Sequence, residues 1–338
     1  MKITKISIAL FILMLLSCVS NMTVVNNRAQ VDDVAWLWNW INTWNIISKS
    51  TFGLEGSSPP KILFYDDKYV YTNSQVSAPD GTPLSGPELY DQKISWMKQV
   101  HNDTLILPDS TLAPLQLMTF AAPMRNGPYF VMPSPKYWDK VGLKNDVVST
   151  DKMLNGIFVH EFAHTRQITS ITQKLFDFQQ SGNYEYPIND DLVQNCFQND
   201  NVYNRQFLAE VDCFYNLLKI ENPAALKSET KKCLEIYKER QEKYLYPINS
   251  HLVEMDDVFL TMEGIGQYAM LSFYLSKKGG KLSFEQALLA TRHNRKWWSQ
   301  DEGLALILVY EKLVGKIDWS KLFFMKDETI VGLIEIEL

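Results

Sequence analysis

Two textures of apolar and polar positions divide the chain near residue 148. Before it, apolar residues come in short runs broken by turn formers such as Pro79-Asp80-Gly81, Gly86-Pro87, Asn126-Gly127-Pro128 and Pro133-Ser134-Pro135. Proline fixes φ and glycine admits positive φ, so such clusters end regular structure. The runs between them are rich in branched and aromatic residues and predict strands at 61–65, 69–72, 115–121 and 129–132. A Trp-rich stretch at 34–41 has the composition of an amphipathic helix packed on that region. After residue 148 the spacing becomes helical. Helices are predicted at 155–176, 204–220, 224–246, 252–275, 284–290 and 302–313. In the second of these, Phe207, Val211, Phe214 and Leu218 fall on one face. The pattern is α+β: a mixed N-terminal sheet region at 31–148, then a mainly helical region at 149–338. At this length the two are expected to form one compact unit.

The first residues stand apart. Met1-Lys2-Ile3-Thr4-Lys5 is basic, residues 6–16 are apolar, and Leu15-Leu16-Ser17-Cys18 follows. A basic start, an apolar stretch too short to span a bilayer comfortably and a small residue before the cut predict a signal peptide at 1–17. Leu-Leu-Ser-Cys resembles the bacterial lipobox. That resemblance implies lipidation at Cys18, a polar linker to residue 30 and an exported, envelope-tethered body. Three cysteines remain in the body, Cys196, Cys213 and Cys233. They allow one disulfide of unspecified pairing and form no Cys-x-x-Cys pair.

Composition narrows the partners. The net charge is −6, with 33 basic residues against 39 acidic ones, so the chain offers no basic footprint for nucleic acid. Membrane contact is expected through the N-terminal lipid alone.

The chemistry concentrates in His160-Glu161-Phe162-Ala163-His164. On a helix, residues four apart sit one turn above one another. Two imidazoles so placed can share one Zn²⁺, and Glu161 between them can take a proton from water. Ser149-Thr150-Asp151 supplies a helix start, and no proline interrupts residues 136–186. A catalytic zinc site needs a third protein ligand. Glu263, in Glu263-Gly264-Ile265-Gly266-Gln267-Tyr268, is the favoured candidate. Glycines inside a helix weaken it unless they permit close approach, here to the helix of His160. Glu210, beside the apolar stripe of its helix, is the alternative, with Asp212 as a group that could orient an imidazole.

His160-Glu161-x-x-His164 followed by Glu263-Gly264-x-x-x-Tyr268 resembles the gluzincin metallopeptidases, in particular the thermolysin-like and aminopeptidase branch. The resemblance covers two short motifs, separated here by about a hundred residues, and the Gly-x-Met-x-Asn substrate motif of the aminopeptidases is missing. It implies a zincin-like unit with zinc on His160, His164 and Glu263, Glu161 as general base, and a peptide or protein substrate. Tyr268 is the leading candidate to polarise the substrate carbonyl, ahead of His251 and His293. Residues 127–132 are expected to form the strand beside the metal helix on which a substrate backbone adds. The basic stretch 292–298 is a candidate clamp for a substrate carboxylate. The alternative function is a binding module: an envelope lipoprotein with a structural or vestigial zinc site.

Overall fold

The computed structural model describes residues 34–54, 57–180, 182, 188–324 and 328–338. The expected signal segment, Cys18 and the linker to residue 30 lie outside the described residues. Helix α1 (Ala35–Ser50) is followed by strands β1 (Lys61–Tyr65), β2 (Tyr69–Thr72), β3 (Thr82–Leu84), β4 (Trp96–Val100), β5 (Thr104–Ile106), β6 (Leu112–Pro114), β7 (Phe120–Met124) and β8 (Gly127–Pro133). The helices after them are α2 (Pro135–Val141), α3 (Thr150–Gln180), α4 (Leu192–Phe197), α5 (Asn201–Leu217), α6 (Pro223–Arg240), α7 (His251–Leu275), α8 (Phe284–Arg292), α9 (Trp298–Val314), α10 (Trp319–Phe324) and α11 (Ile330–Glu337). The architecture is mixed α+β, a six-stranded sheet followed by a mainly helical half. Among the described residues, no helix is long and apolar enough to cross a membrane.

The sheet runs β3-β4-β2-β1-β8-β7, and β5 pairs with β6 in a separate ribbon. β1 and β8 are parallel, and the other pairings are antiparallel. Successive side chains of a strand point to opposite faces. Ile62, Phe64, Phe130 and Met132 therefore enter the main core, while Leu63, Tyr65, Tyr129 and Val131 enter a second cluster with Leu105, Leu107 and Met118. Two buried faces explain why β1 and β8 read as continuous apolar runs. Two expectations change here. β8 is an interior strand, so the edge beside the metal-motif helix belongs to β7. The apolar residues 115–119 are irregular chain held by Tyr65, whose hydroxyl bonds the Gln116 and Met118 carbonyls at 2.7 and 3.1 Å.

Helix α3 lies on the sheet through its aromatic face. Phe158 and Phe162 meet Phe130 at ring distances of 6.0 and 5.0 Å, and Trp40 of α1 stacks on Phe158 at 5.2 Å. Burying each such ring stabilises the fold by about 1.5–3 kcal/mol. The Trp-rich helix is thus a support for α3, and it extends to Ser50 because Trp44 and Ile47 continue the buried stripe of Leu37, Trp40 and Ile41. Helix α7 is buried almost all round, between α3 and α9. Cys213 of α5 and Cys233 of α6 form a disulfide with Cα atoms 5.8 Å apart.

Candidate metal centre

Three side chains from two helices converge. His160 and His164 project from the same side of α3, with ring centroids 5.0 Å apart. Glu263 reaches them from α7. Its Oε2 is 3.2 Å from His160 Nε2, and its Oε1 is 3.3 Å from His164 Nε2. The two Nε2 atoms are themselves 3.3 Å apart. All three residues are buried, and they form a group able to hold a metal ion.

Glycine makes the convergence possible, though not in the single way the sequence pattern implied. A Cβ on Gly266 would stand 2.8 Å from His160 Cε1 and Nδ1, so this glycine lets α7 lie against the imidazole. Gly264 faces the other way, where a Cβ would meet the Gly303 carbonyl of α9 at 2.5 Å. Gly266→Ala should push the His160 ring aside and weaken divalent-metal affinity by about 10–100-fold. A metal titration of the purified variant checks this, and unchanged affinity would show that the ring has room to yield.

The electrostatics of the group fit a cation. Burial alone would raise the Glu263 pKa, but the charges of His164 and His160 and their hydrogen bonds hold it below the usual carboxylate range. Burial would lower His164, yet Glu263 outweighs it and pushes the imidazole up to about 9. The carboxylate thus demands a positive charge in this spot, which a proton or a metal ion can supply. His164 Nδ1 lies 2.7 Å from Gln167 Oε1, and Gln167 Nε2 donates to the Met262 carbonyl at 3.3 Å. Gln167 therefore makes Nδ1 the donor and turns Nε2 toward Glu263. Its place three residues beyond His164 on the same helix was the one available signal for this role.

Comparison with family models, curated proteins and solved structures finds no match. The function must come from the geometry.

Glu161 lies where two hollows meet. A cavity of about 280 Å³ holds His160, Glu161, Met270, His293 and Trp297 among its walls. A smaller recess joins Glu161, His164 and Glu263 to Asp190 and to residues 119–121 at the start of β7. Burial raises the Glu161 pKa, an effect that the two imidazoles oppose and Glu263 reinforces. Asp190 is pushed well above the carboxylate range by burial and then by Glu263, Asp191 and Glu161. No sequence pattern singled out Asp190.

The remaining candidates separate. Glu210 is buried and accepts two bonds from Arg240 Nε, at 2.8 and 3.0 Å, so it belongs to an ion cluster and not to the group around the imidazoles. Asp212 is exposed and pairs with Arg295 at 2.9 Å. Tyr268 donates to Glu311 at 2.6 Å and packs against Trp319. Five residues beyond Glu263 is a rotation of about 140° past a full turn, which carries Tyr268 to another side of α7. His251 is exposed at the first residue of α7. His293 is brought to the cavity wall beside His160, and burial, His160 and Lys296 together depress its pKa. Arg292 and Arg295 are engaged by Asp301 at 2.6 and 3.0 Å, which removes them as free clamps.

Proposed function

We propose that this chain is a zinc-dependent peptidase with a zincin-like catalytic unit. The carrying observation is the spacing of the donors. Ligands of a tetrahedral ion at 2.0–2.1 Å stand about 3.3–3.4 Å from one another. The closest donor pairs here are separated by 3.2, 3.3 and 3.3 Å, with Glu263 facing each imidazole through a different oxygen, and one donor atom from each residue lies within 4.8 Å of the others. Two imidazole nitrogens and a carboxylate are a borderline donor set suited to zinc, and three protein ligands leave a position open. His160, His164 and Glu263 would hold the ion. When bound, it supplies Lewis acidity, polarising a carbonyl and lowering the pKa of water towards 7.

Glu161 does the proton work. It is nearly buried, faces the hollow beside the ligands and has a raised pKa, which suits a group that takes a proton from water and returns it to a leaving amine. His293 takes the place expected for Tyr268. It is the imidazole on the cavity wall outside the ligand group, its pKa lowered by burial, and its N–H can donate to the substrate carbonyl oxygen as charge develops. β7 offers its free edge to an extended peptide. An antiparallel edge strand beside a two-histidine helix also agrees with the gluzincin resemblance. The N-terminal pattern supports export and tethering through lipid on Cys18.

The experiment is metal analysis with a chelation cycle on the full chain. One zinc per chain is expected, with peptide hydrolysis that a chelator abolishes and added zinc restores. His160→Ala and Glu263→Gln should each lose the metal. Stoichiometric zinc without hydrolysis of any peptide in a mixed fluorogenic set would leave the structural-zinc lipoprotein as the function.

A further inference from the structure

The two hollows that meet at Glu161 differ in the charged residues of their walls. The small recess ends on Asp190, with Asp191 beside it. The larger cavity has apolar walls that include Leu143, Ile157, Met270 and Trp297, and its rim carries Lys144 and Lys296. Both lysines are exposed, and neither ammonium is in an ion pair among the described residues. Asp146 is on the same rim, and the Lys296 charge also acts on Asp191.

Lys296 is on fixed backbone. Its N–H donates to the His293 carbonyl at 3.2 Å, and its own carbonyl accepts from Gln194 Nε2 at 3.1 Å. Its ammonium sits over the Trp297 ring at 4.6 Å, and its charge reaches His293. The turn leading to it is strained: His293, Asn294 and Arg295 all have left-handed φ, 44°, 55° and 62°. Side-chain-bearing residues disfavour that region, so three in a row persist only where the surroundings enforce them. Here Asp301 enforces it through Arg292 and Arg295.

We infer that the cleft takes peptides by their carboxyl end. The last side chain, large and apolar, fills the cavity, and the free α-carboxylate meets Lys296 and Lys144 at the rim. This rests on the peptidase function proposed above and narrows it to removal of single C-terminal residues. One water is consumed. The final amide C–N bond breaks, the carbonyl carbon gains the water oxygen as a carboxylate, and the freed amino acid leaves with the proton that Glu161 delivers.

The test compares acetyl-alanyl-phenylalanine with its C-terminal amide on the zinc-loaded full chain. The free acid should be cleaved with kcat/KM higher by about tenfold or more, mostly through KM, as expected for a charge-assisted contact. The preference should collapse in Lys144→Ala/Lys296→Ala, whose positions are exposed. A parallel arm reads tryptophan quenching in metal-free protein by acetylphenylalanine and by its amide, with the acid expected to bind more tightly. Equal cleavage of acid and amide, or a preference that survives the double substitution, would overturn the carboxyl-end assignment while the peptidase function stands. Zinc-loaded protein that cleaves neither peptide would overturn the carboxyl-end assignment, and the mixed fluorogenic set then decides the peptidase function separately.

Discussion

Glu161→Gln is expected to keep full metal occupancy and lower peptide turnover by about 10²–10⁴-fold. The amide has nearly the same shape as the carboxylate, so His160, His164 and Glu263 keep their positions. It cannot accept a proton from water, and it cannot deliver one to the amine. The substitution also removes a buried carboxylate whose pKa is raised by burial, so melting temperature should hold or rise as activity falls. That split is the mark of a group kept for chemistry at the expense of stability. Metal analysis, calorimetry and kcat on the same preparation check it. Turnover near that of the unaltered protein would remove Glu161 from the mechanism. Loss of metal together with turnover would recast it as a structural support of the site.

The second large effect is on stability. Arg240 is fully buried and is the hub of a polar cluster. Its Nε bonds both oxygens of Glu210, its Nη1 bonds the Tyr203 hydroxyl at 2.9 Å, and its Nη2 reaches Asp256 at 3.1 Å and Glu302 at 3.4 Å. Burial, then Glu210, pushes the Glu302 pKa well above the carboxylate range, so the site disfavours its charged form. Arg240→Met would leave Glu210 and Asp256 without a buried cation. Breaking such a pair by removing one partner costs about 3–5 kcal/mol, which should lower the melting temperature by roughly 4–8 °C in a chain of this size. Lysine should not rescue it, because one ammonium cannot reproduce the fork of donors. Glu302→Gln is the control: it keeps the shape and an oxygen for Arg240 while removing an acid whose charged form burial and Glu210 disfavour, and it should be nearly silent. Thermal unfolding of the three variants at neutral pH decides. A silent Arg240→Met would show that the carboxylates take up protons and carry no charge there. The cluster also fixes α7 against α5, α6 and α9, and α7 carries Glu263.

Some of this was legible in the chain and some was not. The histidine pair was, because a four-residue spacing on a helix has only one geometric outcome. Glu263 was reachable through its glycines, although Gly264 serves α9 and only Gly266 serves the imidazole. Tyr268 misled because nearness in sequence along a helix says nothing of angular phase. Glu210 resembled a ligand because any carboxylate buried in a helix does, and its true partner, Arg240, lies 30 residues away in sequence. Strands 61–65 and 69–72 followed from composition alone. The misplaced strand at 115–121 did not, since Met118 is buried in irregular chain by contacts with β1. Gln167, Asp190 and the wall position of His293 depend on helices that meet only in the folded molecule.

The donors of the metal group stand about a hundred residues apart, in helices that touch only after the intervening chain has packed. No amino-terminal fragment ending before residue 263 can grip an ion with all three, and neither can a nascent chain still short of that point. The three-donor group is therefore completed only once α7 has been made and has packed against α3.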